Sequence, residues 1–183
     1  MEHYLETEYK FLLSKNEFVM IEARCDELEL KKSQYVQINY YYDTEDNVYF
    51  KNNTTIRIRQ IENALKMQIK QHRSTNSEFR LSEEYEKEVE QLPRIVDHPD
   101  TSERLICKGF LVTERKEYLF GNNIRVYLDH NLYLGISDYE VEVEFEAPDL
   151  LMAQRIVNDL KLTEHSEYSK SSRFFRYYLM RNF

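Results

Sequence analysis

Residues 139–146 read YEVEVEFE, with Glu140, Glu142 and Glu144 alternating with Val141, Val143 and Phe145. A period of two puts the acids on one face of a strand and the apolar side chains on the other. The same alternation recurs in YLETEYKFLL (4–13), YVQINYYYDT (35–44), TTIRIRQI (54–61), ALKMQIKQ (64–71), LVTERKEYLF (111–120) and NIRVYLDH (123–130). These segments are rich in β-branched and aromatic residues, as half-buried strands are. Their polar faces carry Glu6, Glu8 and Lys10; Gln37, Asn39 and Tyr41; Arg57 and Arg59; Lys66, Gln68 and Lys70; and Arg125, Tyr127 and Asp129. Short connections, including a hairpin turn at Gly121-Asn122-Asn123 and another turn at Gly135, predict an antiparallel sheet or barrel.

Helical patterns are fewer. Ser14-x-x-Glu17 forms a capping box ahead of Phe18, Ile21, Cys25 and Leu28, which predicts an amphipathic helix over 15–29. Pro148 and Asp149 open a second, with Leu150, Ala153, Val157 and Leu160 on one face. Shorter helical pieces are expected near 87–96, up to Pro93, and near 101–107, ahead of Gly109. The tail SSRFFRYYLM fits a strand or a helix equally. No repeat or linker interrupts the 183 residues, so a single domain over 1–183 is expected.

A solvated sheet face would explain the alternation by itself. The segregation of charge argues against it. Same-face carboxylates about 7 Å apart repel by roughly 2 kcal/mol at an effective dielectric near 20. A solvated face interleaves signs, whereas here one strand repeats only Glu and another only Arg. Helices, moreover, pack on apolar surface and so leave the polar face of the sheet over. A closed sheet with a charged lumen and an apolar outside suits a highly charged ligand. Carboxylates that hold Mg²⁺ or Mn²⁺ beside Arg and Lys suit a metal–polyphosphate complex, and phosphoryl chemistry needs these parts. Arg57 and Arg59 also have a purely structural reading, as cross-strand partners of the acids.

A net charge of −8 excludes a general nucleic-acid backbone binder, and three glycines without GxxxxGK or GxGxxG exclude a glycine-rich phosphate loop. Cys25 and Cys107 form no CxxC, so reduced thiols are expected. With neither a leader pattern nor a membrane-length apolar run, a cytoplasmic protein without membrane or nucleic-acid partners is expected, as a monomer or homodimer. The 15 tyrosines fit half-buried strands, although nucleobase stacking would also use them.

Glu6-x-Glu8-x-Lys10 resembles the ExExK motif of the CYTH superfamily, the triphosphate tunnel metalloenzymes. NYYYDT (39–44), IRIR (56–59), MQIK (67–70), YLDHNLYLG (127–135), DYEVEVEFE (138–146) and KSSRFF (170–175) follow in that family's order. The chain is most similar to its single-domain Gram-positive bacterial members. The resemblance implies an α+β fold, a closed eight-stranded antiparallel β-barrel with a polar charged lumen and helices packed outside. It implies that Glu6, Glu8, Asp129, Glu142 and Glu144 hold metal, with Glu84 and Glu86 as further acids. Lys10, Arg57, Arg59, Lys70, Arg115, Arg125, Lys170 and Arg173 would contact phosphates, and Lys10 and Tyr41 would serve catalysis, Tyr41 by orienting water. Glu140 is expected to face solvent at the tunnel mouth. Thr113 stands where relatives often carry a lysine.

The activity so implied is Mg²⁺- or Mn²⁺-dependent hydrolysis of inorganic tripolyphosphate or an organic triphosphate. A class IV-type adenylyl cyclase and a non-catalytic triphosphate or nucleotide sensor remain alternatives. Products from ATP, or binding without turnover, would distinguish them.

Overall fold

The computed structural model describes residues 1–28, 30–73, 79–98, 101, 103–163, 166 and 168–181. The alternating segments are all strands: β1 (Glu2–Leu13), β2 (Lys31–Asp43), β3 (Thr54–Ile61), β4 (Ala64–Arg73), β5 (Arg80–Glu88), β6 (Ile95–Asp97), β7 (Arg104–Phe120), β8 (Ile124–Tyr133) and β9 (Ile136–Phe145). Hydrogen bonding runs in the order β2-β3-β4-β5-β1-β9-β8-β7, and β2 pairs with β7 from Lys31 opposite Leu119 to Asp43 opposite Ile106. Eight antiparallel strands therefore close into a barrel, with β6 added outside on the start of β7. Closure removes the exposed strand edges, and a barrel of this size leaves room inside for side chains and one small ligand.

The apolar faces point outward, so the hydrophobic core lies around the barrel. The helix α1 (Lys15–Glu27) brings Phe18, Ile21 and Cys25 onto Phe11, Val126, Leu128, Val141 and Val143. A four-residue helix, α2 (Val48–Lys51), links β2 to β3. A 3-10 turn at Ala147–Asp149 leads into α3 (Leu150–Asp159), whose Ala153, Ile156 and Val157 join the same cluster. Each buried Phe, Ile, Leu or Val in this cluster contributes about 1.5–3 kcal/mol. A second cluster covers β3 and β4 with Leu105, Val89 and Val96. The last helix, α4 (Lys170–Arg181), sets Phe174 and Phe175 against Tyr41, Leu111 and Tyr133 at one end of the barrel.

The capping box of α1 forms as expected: Glu17 N–H donates to Ser14 Oγ and Ser14 N–H to Glu17 Oε2. Leu28 is the C-cap and 55% exposed, off the buried face; Glu29, the expected end of the helix, lies outside the described residues. Neither short helix near 87–96 or 101–107 forms, since β5 runs to Glu88 and β7 starts at Arg104. Their Glu, Lys and Leu content favours helix locally, but pairing of β7 with β2, β6 and β8 overrides it. Gly109 accordingly lies inside β7, beside a bulge between Tyr41 and Tyr42. The C-terminal tail is helical. No helix among the described residues is long and apolar enough to cross a membrane.

Candidate active site

Strand register converts the alternation into a lumen. Lys10 lies opposite Glu142, Glu8 opposite Glu144, Tyr41 opposite Arg57, Lys70 opposite Glu84 and Arg115 opposite Asp129. On β5 the even positions Ser82, Glu84 and Glu86 share the inward face, while Glu83 pairs with Arg73 outside. The cavity measures about 460 Å³, with Glu6, Lys10, Arg57, Arg59, Lys70, Glu84, Arg115, Glu142, Glu144 and Lys170 on its wall.

Charge is separated across this space. In the closed order β3 lies opposite β9, so Arg57 and Arg59 face the acids of β9 and its neighbour β1. Arg57 Nε donates to Gln68 Oε1 at 2.8 Å, and Arg59 Nε to Asn39 Oδ1 at 3.0 Å. Arg57 is 8% exposed, yet among the described residues neither arginine makes an ion pair with a carboxylate. Burial lowers the Arg59 pKa, and the positive charges of Arg57 and Arg115 lower it further. Beside them, both amide atoms of Gln37, Asn39 Nδ2 and the Tyr41 hydroxyl have no hydrogen-bond partner among the described residues. Each such group left unsatisfied costs about 1–3 kcal/mol.

On the acid side, Glu6, Glu8 and Glu144 bring one carboxylate oxygen each within 4.8 Å of one another. Burial, with neighbouring carboxylates adding to it, holds the Glu6 and Glu144 carboxyls above their usual range, even though Lys70 pairs with Glu6. Lys10 lies 3.1 Å from Glu8 and 2.6 Å from Glu142. Crowded hard oxygen donors that repel one another fit a divalent cation.

A second acid trio, Asp129, Glu140 and Glu142, is engaged differently. Arg115 bonds Asp129 at 2.7 and 2.6 Å and Glu142 at 2.6 Å. Lys170 of α4 contacts Asp129 at 2.7 Å, Glu142 at 2.8 Å and also Glu140. Arg173 holds Asp138 at 2.8 Å and Glu140 at 2.5 Å. Burial alone would raise the Glu142 carboxyl, but Lys10 and Arg115 overcome it and hold it far below the usual range. Asp129 and Glu142, expected among metal ligands, are thus both in contact with Arg115 and Lys170, and burial pushes the Lys170 amine well below its usual pKa. Glu140 is fully buried at the end that α4 closes, not solvent-facing at a mouth. Arg173 ties α4 to that end and is not on the cavity wall.

The remaining expected residues spread along the lumen. Glu84 forms an ion pair with Lys70 at 2.8 Å and accepts a hydrogen bond from Tyr4 Oη at 2.8 Å. Glu86 pairs with Lys66 at 2.7 Å, both near the open end. Arg125 is half-exposed at that mouth, 3.4 Å from Glu117. Tyr41 lies behind the wall, its ring on Phe174 and Phe175. Thr113 donates to Asn131 Oδ1 at 2.7 Å, a neutral pair where a lysine was expected.

Sequence reasoning missed a neutral group at the inner end. Thr55, His72, Ser169 and Ser171 line the cavity there, with Thr55 and Ser171 hydroxyls 2.7 Å apart. Burial, reinforced by Lys70, Lys10 and Arg80, pushes the His72 imidazole down to about 3. The inward row Lys66, Gln68, Lys70 continues to His72, and that periodicity was its signal.

An antiparallel barrel whose lumen opposes arginines to carboxylates is a charged tunnel. The CYTH domain family model matches residues 4–177, and the chain belongs to that family. A Bacillus halodurans structure provisionally named an adenylate cyclase is similar over 96% of this chain and all of its own, at 24% identity and a TM-score of 0.72. A Hippeastrum protein described as a provisional adenylyl cyclase with dominant triphosphatase activity is 18% identical, with a TM-score of 0.75, over 93% of this chain and 95% of that one. The Mimivirus capping enzyme triphosphatase is 12% identical, with a TM-score of 0.53, over 84% and 90%. A search of curated protein sequences found no significant match.

Proposed function

We propose that the protein is a divalent-metal-dependent hydrolase that cleaves a phosphoanhydride bond of a triphosphate-containing small molecule in the lumen. One observation carries this reading: among the described residues the inward-facing Arg57 and Arg59 have only amide partners, across the barrel from the crowded carboxylates of Glu6, Glu8 and Glu144. An unpaired buried charge costs several kcal/mol. A ligand that is itself a metal–polyanion complex relieves both sides at once. The names of the Hippeastrum and Mimivirus proteins support triphosphatase chemistry.

In this reading Glu6, Glu8 and Glu144 hold Mg²⁺ or Mn²⁺, which would supply charge neutralisation at the phosphate oxygens. Arg57 and Arg59 fork onto those oxygens, Arg115 reaches them through its remaining Nη1, Lys70 acts as a point charge, and Lys170 donates from the inner end. Asp129 and Glu142 orient Arg115 and Lys170, and Arg125 meets the ligand at the mouth. Glu84 and Glu86 position Lys70 and Lys66. Water, oriented by Lys10, attacks the terminal phosphorus, the bridging P–O bond breaks, the shortened chain leaves with the electron pair, and the water's proton passes to a phosphate oxygen of the products. Positioning and charge stabilisation supply most of such a rate. With a neutral Thr113–Asn131 pair at the usual lysine position, no general-base lysine is assigned there. The chain's net charge of −8 disfavours long polyanions as substrates.

The test is phosphate release from tripolyphosphate and from ATP with Mg²⁺, Mn²⁺ or EDTA, with nucleotide products resolved by chromatography. Metal-dependent phosphate release supports the hydrolase. Cyclic AMP alone would reassign the protein as a cyclase, and tight binding without product as a sensor.

A further inference from the structure

The outer surface of the barrel carries a second constellation, separate from the lumen. Across β7, β8 and β9, Glu114 lies opposite His130 and His130 opposite Tyr139. In the next outward row Val112 lies opposite Leu132 and Leu132 opposite Ser137. Ser137 Oγ is 2.9 Å from His130 Nε2, and His130 Nδ1 is 3.0 Å from Glu114 Oε2. An ionised carboxylate only accepts, so Nδ1 carries the imidazole proton and Nε2 is left to accept from the Ser137 hydroxyl. The Tyr139 ring stacks on the imidazole at 4.6 Å and 11° and packs in turn on Phe18 of α1, which fixes the plane of the imidazole.

Serine, histidine and a carboxylate joined in this order activate the hydroxyl as a nucleophile: the imidazole takes its proton and the carboxylate holds the tautomer. The surroundings define what such a serine would attack. The cluster under α1 and α3 takes in Val126, Leu128, Val141 and Val143, but further along β8 Leu132 is 39% exposed. From Leu132 the outward row continues through half-buried Val112 to half-buried Ile38 on β2. With neighbouring strands about 4.8 Å apart, this apolar row begins beside Ser137 and runs about 15 Å away from it. A short apolar acyl chain laid along the row would bring its carbonyl carbon to Ser137 Oγ. The ladder spends the backbone N–H groups of these strands, so water meets the developing oxyanion, and slow acylation rather than rapid turnover is the chemistry expected here.

We propose that Ser137 is an acylation site for small apolar activated esters, with His130 as its general base and Glu114 as the group that orients His130. Ser137 Oγ attacks the acyl carbon as its proton passes to His130 Nε2. The tetrahedral adduct expels the alcohol oxygen, which leaves with the electron pair of the broken C–O bond and takes that proton. Water then attacks the same carbon, its proton moves through Nε2 to Ser137 Oγ, and the free acid and the serine are released.

The experiment treats the full chain with p-nitrophenyl butyrate and p-nitrophenyl acetate, in EDTA so that no metal in the lumen takes part. It follows p-nitrophenol release, intact mass and the masses of proteolytic peptides. Expected is a single butyryl group on Ser137, formed faster than the acetyl group, a preference that Leu132→Asn removes. Ser137→Ala should lose the label, His130→Gln should slow its formation about tenfold or more, and Glu114→Gln should slow it less. Circular dichroism melts establish that each variant is folded. Label that persists in Ser137→Ala, label confined to lysine or tyrosine, or no label at all overturns the proposal. So does a rate indifferent to His130→Gln, or one matched by the wild type unfolded in urea, since either would leave the Ser137–His130 contact a purely structural hydrogen bond.

Discussion

Arg115 grips Asp129 through two parallel hydrogen bonds, Nε to Oδ1 at 2.7 Å and Nη2 to Oδ2 at 2.6 Å. Asp129 is fully buried on β8, and the same Nη2 reaches Glu142 on β9 at 2.6 Å. Three adjacent strands are therefore joined by one guanidinium, which is also held at a fixed height on the cavity wall. Breaking a buried pair by removing one partner costs about 3–5 kcal/mol. Asp129→Asn is expected to destabilise by that order in urea melts and to raise KM for the triphosphate. Arg115→Lys is expected not to restore KM, since an ammonium cannot fork.

The carboxylate trio is expected to respond in the opposite sense. Glu144 is crowded by Glu6 and Glu8, and burial, with the charges of Glu142 and Glu8 adding to it, raises its pKa. Glu144→Gln removes a repelling charge, so the metal-free Tm should not fall, while Mn²⁺ affinity by calorimetry drops at least tenfold.

The same trio sets a pH dependence. The folded Glu6 and Glu144 carboxyls keep protons that unfolded carboxyls release, so folding takes up protons here. This contribution to stability shrinks as pH rises from the unfolded pKa through the raised folded pKa. A divalent ion must displace those protons. The Tm increase produced by Mn²⁺ should therefore be larger at pH 7.5 than at pH 5.5. An equal increase at both would mean that the ion binds elsewhere.

His72 works with the opposite sign. Its folded pKa of about 3 lies below the usual 6.5 of a histidine, so between these limits only the unfolded chain takes the proton. Stability is lost as pH falls through this window, at up to about 1.4 kcal/mol per pH unit. His72→Gln keeps a polar group near the Thr55 and Ser82 hydroxyls. Its plot of stability against pH should be shallower than the wild type between pH 6 and 4. Superimposable slopes would mean that the imidazole is protonated in the fold.

How far the lumen was legible depends on what alternation encodes. A period of two fixes the face of each residue, so Glu6, Glu8, Arg57, Arg59 and Lys70 could be assigned to one surface before any contact was known. It does not fix height along the barrel axis. Glu140 was therefore placed at a mouth, although Lys170 and Arg173 of α4 bury it at the closed end. Those partners are 30 and 33 residues away, in a tail whose aromatic content made strand and helix equal. Tyr4, Tyr35 and Tyr127 each look like an ordinary strand tyrosine, and only closure of the sheet brings them around one opening. That Lys170 contacts Asp129 and Glu142 was likewise invisible, because it comes from a helix with no local link to them, whereas Arg115 faces Asp129 directly across the β7–β8 hairpin.

The docking of α4 rests on a missing side chain. At Gly109, φ is +142°, a region that side-chain-bearing residues avoid. A β-carbon added there would lie 2.9 Å from the Phe174 ring. Gly109 pairs with Tyr41 across the β7–β2 ladder, just before the register shifts, and Tyr41 packs on the same Phe174. Gly109→Ala thus imposes backbone strain, of about 1–3 kcal/mol, and pushes the aromatic plug outward. The expected result is a lower Tm together with faster proteolysis after Arg176 or Arg181, at the end of the chain that closes the tunnel. Since Lys170 sits at the start of the same helix, turnover should fall as well, although Gly109 lines no part of the cavity. Phe174→Leu in the Gly109→Ala background shortens the colliding ring while leaving the strained φ. Recovery of protease resistance without full recovery of Tm would separate the steric component from the backbone one. Recovery of neither would mean that α4 is held by Lys170 and Arg173 alone.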